Sequence, residues 1–407
     1  MRRLAALDGL RGLAALMVFV FHAHVPGLQE TVIGLDAGVL MFFALSGYLL
    51  YAPFAAAHHG SRPVDLRAYA IRRFLRIAPA YLVAAFAIAW LWRPDLVDDP
   101  VAIATTFRDP TVVAWTLQIE VVFYALLPVA STLLARFRGA SRIRILFVIA
   151  MSSIAVTVIG MAAFVALVGY IPTDVLIAFP SYLWAFVPGM VVAELEQQGR
   201  LARPLPGRVL AGGAALVLIA SVVNLPPYFD VLASLGGATL IAYVVSRPTA
   251  GQRFAPVFGA AGAISYSVYL WHVMIIVAVD RPDPTLGGAL LAFVITVAVA
   301  AVVYVAVERP AMRLASQLVR VRRRQLVAVG PGFSSSSSFN ATMAIPVMAI
   351  DPTMPSTPLT GSAAAMSGVG GTAASRFSVN TTPNAAASHA ARRSGNASGR
   401  KTSTPNA

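Results

Sequence analysis

Cysteine is absent from the 407 residues. That excludes disulfides, thiolate metal ligands and any thioester intermediate on the chain itself. Charge is scarce as well: Asp, Glu, Lys and Arg make up 12% of the sequence, about half the usual share for a soluble domain. Acids are the scarcer sign, 17 against 31 basic residues. Apolar residues fill the chain instead, 58% by count. Runs such as 145–170 and 286–307 exceed the roughly 20 residues needed to cross a bilayer. The composition predicts an all-α, polytopic integral membrane bundle.

Ten spans are expected, near 11–28, 34–56, 77–93, 112–135, 145–170, 175–195, 209–225, 229–246, 256–279 and 286–307. The third and seventh are short, and tilted or re-entrant paths suit them. The first run is not read as a cleavable signal, because it holds a histidine and a proline and lacks a small-residue cleavage site. Of 26 arginines before residue 325, 23 lie at the amino terminus, in alternate loops or just after the last span. Only Arg93, Arg108 and Arg281 lie in the opposite loops, which carry most of the acids. The positive-inside rule therefore predicts that both termini are cytoplasmic. On this reading the net charge of +14 reflects topology and contact with anionic lipid, not nucleic acid. Residues 1–324 form the membrane domain, and the Ser/Thr/Ala/Pro-rich stretch 325–407 is expected to be a disordered tail.

Polar residues inside apolar runs are rare unless they pair or work. In "ALDGLRGLAALMVFVFHAHVPGL" (6–28), Arg11 and His22 are eleven residues apart, which on a helix is three turns plus about 20°. They share one face, separated by about 16 Å of rise, with Arg11 expected at the cytoplasmic boundary and His22 in the outer half. Arg11 alone also reads as an interfacial arginine that snorkels. Glu120 lies in the fourth span and His272 in the ninth. Rise along each helix puts His22, Glu120 and His272 at comparable depth, which suggests a shared cavity or, alternatively, an interhelical polar clamp. Ser265, Tyr269 and His272 share a stripe. A carboxylate beside a histidine is the usual way to orient an imidazole as general base. Ser46-Gly47 marks a small-residue point suited to close helix packing. Arg72, Arg73 and Arg76 project together on a helix, and guanidinium forks suit phosphates. Glu308 and Arg313, around Pro310, read as a helix end with local ion pairing.

An ordered set of motifs carries a further inference. It runs from Leu7-Asp8-Gly9-Leu10-Arg11-Gly12 and His22 through Phe42-Phe43, Ser46-Gly47-Tyr48 and Arg73-x-x-Arg76. It continues through Trp115-Thr116-Leu117, Glu120, Phe123 and Tyr124, then Ser265-Tyr266-Ser267 and Tyr269-Leu270-Trp271-His272, to Glu308-Arg309-Pro310 and Arg313. This set, spanning residues 7 to 313, resembles the membrane-integral acyltransferase 3 family. The resemblance implies transfer of an acyl group, acetyl or similar, from cytoplasmic acyl-coenzyme A to a hydroxyl of a carbohydrate or a glycosylated or lipid acceptor, in the plasma membrane.

Carried onto these residues, it implies His22 as general base, with Glu120 or His272 orienting base or acceptor. Arg11, Arg72, Arg73 and Arg76 would hold the coenzyme A phosphates. Ser46, Tyr124, Ser265 and Tyr269 would support substrate or structure. Acyl-coenzyme A enters as co-substrate, and neither a permanently bound cofactor nor a metal is expected. No esterase-like domain of the kind fused to some members is expected either. The competing reading is a transporter or flippase for an anionic glycolipid or glycan, for which buried polar groups beside basic loops would also serve.

Overall fold

Apolar runs of this length fold as helices because lipid offers no partner for backbone N–H and C=O groups. The computed structural model describes residues 5–25, 27, 34, 37–92, 114–169, 181–223, 231–249, 251–280 and 285–328, and no strand occurs among them. Among the described residues, ten helices overlap the positions of the expected spans in order: α1 Ala5–Ala23, α2 Ala37–His58, α3 Leu66–Trp92, α4 Ala114–Leu134, α5 Ala140–Val168, α6 Leu183–Gln197, α7 Gly207–Val223, α8 Val231–Val245, α9 Ala255–Asp280 and α10 Leu286–Val303. Among the described residues, seven helical stretches are long and apolar enough to cross a bilayer. Helices α7 and α8 are shorter apolar helices, and α6 has only 15 residues.

Two boundaries differ from the expected ones. Helix α3 begins at Leu66, not near 77, so its arginine segment is fully helical and the third span is 27 residues long, not short. After α10 the chain does not stop: a π-helical turn, Tyr304–Glu308, leads into α11, Arg309–Ala328. That helix runs past the predicted start of the tail. The predicted disorder of 329–407 lies outside the described residues.

Local chemistry explains several ends. His24 takes a left-handed φ of 52°, and its Nδ1 lies 2.7 Å from the His22 carbonyl, which closes α1. Thr285 caps α10 by accepting from Gly288 N–H at 2.9 Å. Gly169, at φ 82°, ends α5 in a left-handed cap.

Packing centres on α2, which is apolar on every side and buried along most of its length. It crosses α6 at Gly47 and Gly189. A Cβ on Gly47 would strike the Phe186 carbonyl oxygen, and one on Gly189 the Ala44 carbonyl oxygen, so the two backbones touch. Gly47 therefore has the packing role its small size suggests. Helix α1 lies against α9 through a similar contact, Gly12 on Ala261 and Gly262 on Asp8. By contrast, α5 leaves Phe147, Ile159 and Leu167 60%, 68% and 85% exposed, an apolar flank suited to lipid rather than water.

Candidate active site

Four helices converge on the polar interior. Helix α1 supplies Arg11 and His22, α2 supplies Ser46, α4 supplies Thr116, Glu120 and Tyr124, and α9 supplies Ser265, Tyr269 and His272. These side chains form two groups.

The first group is a histidine pair. His272 Nε2 lies 3.2 Å from His22 Nδ1, and the rings meet edge to face with centroids 4.9 Å apart. His272 Nδ1 lies 2.8 Å from the Tyr269 carbonyl and 3.2 Å from the Val268 carbonyl. Facing two acceptors, that nitrogen must carry the hydrogen, so in neutral His272 the lone pair is on Nε2. His22 Nδ1 also faces two acceptors, the Val18 carbonyl at 2.9 Å and His272 Nε2. It too must be the protonated nitrogen. The basic lone pair of His22 is therefore on Nε2.

The second group surrounds a cavity of about 60 Å³ lined by Arg11, Val39, Phe42, Phe43, Ser46, Thr116, Leu117, Glu120, Ser265, Tyr266 and Tyr269. At about 10–15 Å³ per water, it has room for a few water molecules. On its wall, Glu120 Oε1 accepts from Ser46 Oγ–H at 2.6 Å and, from behind, from Tyr124 O–H at 2.5 Å. Arg11 lines the same cavity with its buried Nε lacking a hydrogen-bond partner. Tyr269 connects the groups: its O–H shares a 2.7 Å bond with Thr116, it lines the cavity, and its ring lies 5.7 Å from His272.

This arrangement differs from the expected one in several respects. Glu120 belongs with Arg11, not with the histidines, so His22, Glu120 and His272 do not sit as one trio. Counting residues along each helix does not give the offset or rotation of one helix against another, and those bring Glu120 to the chamber that Arg11 lines. Helix α1 begins at Ala5, so Arg11 lies about two turns inside it, and its side chain lines this chamber.

The three arginines of α3 also part company. Arg72 is exposed. Arg73 stacks over the rings of Tyr69 and Tyr124, each centroid at 5.8 Å, and its Nε has no hydrogen-bond partner. Arg76 turns inward to Glu308, 3.4 Å away. Glu308 does not pair with Arg313, which is exposed. The π turn brings its carboxylate into the bundle, where it also accepts from Ser267 Oγ–H at 2.6 Å.

A second buried network escaped the sequence reading. Glu194 is fully buried and receives Arg142 at 2.9 Å, Tyr51 O–H at 2.7 Å and His59 Nε2 at 3.1 Å. His58 joins through its Nδ1, 3.4 Å from the Tyr51 hydroxyl and 3.9 Å from Glu194, and its Nε2 brings in Ser131 at 3.0 Å. The network ties together the ends of α2, α4 and α6 and the start of α5. The signal available for it was Glu194 at the close of an apolar run, with His58-His59 at the close of another.

Residues 4–307 match a family described as an acyltransferase domain. The chain is 24% identical over 322 residues to O-acetyltransferase OatA of Staphylococcus aureus (strain NCTC 8325 / PS 47), covering 69% of this chain and 51% of the relative. It is 28% identical over 337 residues to the membrane-bound transacylase BcsY of Komagataeibacter xylinus, covering 74% and 81%. The chain thus spans about half the length of the O-acetyltransferase relatives it matches. No solved structure matches it significantly.

Proposed function

Because this chain belongs to the acyltransferase 3 family, we propose that it is a multi-pass plasma-membrane O-acyltransferase. It takes a short acyl group from cytoplasmic acyl-coenzyme A and delivers it to a hydroxyl of a carbohydrate or glycosylated acceptor. The observation that carries this reading is the paired imidazoles. His22 Nδ1–H is held by the Val18 carbonyl and His272 Nε2, which leaves Nε2 as the proton acceptor. That nitrogen removes the acceptor's hydroxyl proton as the oxygen attacks the thioester carbonyl. The C–S bond breaks, and the proton passes from the imidazolium to the departing coenzyme A thiolate. His272 acts as a positioning residue.

Arg11, a buried guanidinium with an unpartnered Nε beside the chamber, suits the polar end of a substrate. Glu120 holds Ser46 and Tyr124 in place around it. Exposed Arg72 is the α3 arginine best placed for a soluble donor's phosphates. With no cysteine in the chain, transfer is direct rather than through an acyl-thiol enzyme.

The test is incubation of the purified protein, in lipid nanodiscs, with labelled acetyl-coenzyme A and fractions of cell-envelope sugars and small glycosides. Label should move into a hydroxyl ester, and His22→Gln should stop the transfer while donor binding persists. Transfer at the normal rate by folded His22→Gln protein would sink the mechanism.

A further inference from the structure

Between α3 and α4 runs a groove of about 470 Å³, lined by Arg73, which the family resemblance assigned to the donor, and by Tyr124, which braces Glu120. Its α3 wall is one continuous stripe: Tyr69, Arg73, Phe74, Ile77, Ala78, Tyr81 and Leu82. From Tyr69 to Leu82 this stripe covers about 20 Å of helix rise. Val121, Tyr124 and Ala125 form the facing wall. One end is closed by Tyr69 O–H donating to the Tyr124 carbonyl at 3.1 Å. Near that end lies Arg73, held between the two tyrosine rings with no partner for its buried Nε. The rest of the lining is almost wholly apolar, and the rim is too: Phe74 is 67% exposed, with Val83 and Leu126 exposed nearby.

We propose that this groove binds one phosphate-headed membrane lipid, its phosphate on Arg73 and an acyl chain lying along α3 toward Leu82. Charge complementarity selects the head, because a cation beside apolar walls calls for a single anionic group. The walls select the tail. Coenzyme A carries several phosphates, an adenine and two amides in its arm, and the groove offers them one cation and no hydrogen-bonding side chains beyond tyrosine hydroxyls. A hydrocarbon chain needs none, and the exposed apolar rim opens onto lipid. In the orientation the arginine distribution implies, the lipid comes from the inner leaflet. The bound head would adjoin Tyr124, whose hydroxyl donates to Glu120, so occupancy is felt at the chamber wall.

The experiment reads labelling, not turnover, so its outcome is separate from that of the proposed acyl transfer. Full-length protein is placed in liposomes containing phosphatidylglycerol with a diazirine near the end of one acyl chain. After irradiation, labelled peptides are quantified by mass spectrometry. Labelling of 77–82 and 121–125 should exceed that of the lipid-facing flank of α5 by about tenfold, the weight of one charge-assisted hydrogen bond. Both Arg73→Gln and Ala78→Trp, the latter filling the groove, should bring labelling down to the α5 level without lowering the melting temperature. A diazirine diacylglycerol, which lacks the phosphate, should label no better than background. Labelling equal to that of α5, labelling that persists in both variants, or displacement by palmitoyl-coenzyme A would each overturn the proposal. The last would assign the groove to the donor.

Discussion

His22 has one nitrogen anchored and the other basic, and this asymmetry defines what its replacement does. General base catalysis contributes about 10²–10⁴ in rate. His22→Gln should lower kcat by about that factor while labelled acetyl-coenzyme A still binds; near-normal kcat would move the base elsewhere. His272→Ala removes the support on His22 Nδ1 together with the ring's packing on Phe19 and Tyr269. It should lower kcat by roughly tenfold to a hundredfold, as loss of an orienting partner does, and should shift the pH–rate profile while leaving donor KM in place. An unchanged profile would mean that His272 merely fills space.

Arg76 and Glu308 make a different kind of pair, with side-chain exposures of 18% and 0%. Arg76→Met strands a buried carboxylate, at a cost of up to roughly 3–5 kcal/mol. Glu308→Gln should cost less, because the partly exposed Arg76 can turn toward water. The double variant Arg76→Met/Glu308→Leu should recover part of the loss in a thermal unfolding measurement. Additive losses would show that the pair is not coupled.

At the scale of elements, the bundle depends on places where backbones touch. Gly47 and Gly189 let α2 and α6 approach until no Cβ fits. Gly189→Val should force the helices apart, costing at least the 1–3 kcal/mol of ordinary overpacking. Because Ser46 and Gly47 are neighbours, the shift should also disturb the Ser46–Glu120 bond. The check is folded yield in detergent alongside turnover per folded molecule. Normal values for both would mean that the crossing tolerates a side chain. The π turn works in the opposite sense: its extra residue per turn rotates Glu308 inward, toward Ser267 and Arg76.

For the whole molecule, the split of 23 arginines against 3 predicts orientation. With no native cysteine, single introduced thiols report cleanly. Ser61→Cys should be shielded from an impermeant maleimide in intact cells, and Asp98→Cys should react. Labelling at position 61 would invert the topology and take the cytoplasmic donor with it. Truncation after Ala328 should leave an inserted, active protein, because the polar low-complexity remainder has too little apolar surface to pack. Loss of turnover in a normally inserted truncation would assign the tail a role.

The helical bundle was legible in the sequence because lipid reduces the choice of backbone structure to one and apolar runs mark where it occurs. The Arg11–His22 relation was legible for a similar reason: helical period alone puts both on one face. Relations between helices were not. Whether Glu120 meets His22 or Arg11 depends on where α4 begins and how it is shifted along α1, and residue counting cannot supply that offset. The fate of the α3 arginines also depended on neighbours, since Glu308 draws Arg76 inward while Tyr69 and Tyr124 hold Arg73 beside the groove. The Glu194–Arg142 pair spans 52 residues and the His22–His272 pair spans 250. Sequence determined which groups were too polar to face lipid; only tertiary packing decided their partners, because pairing follows from helix offset and rotation, which no local pattern records.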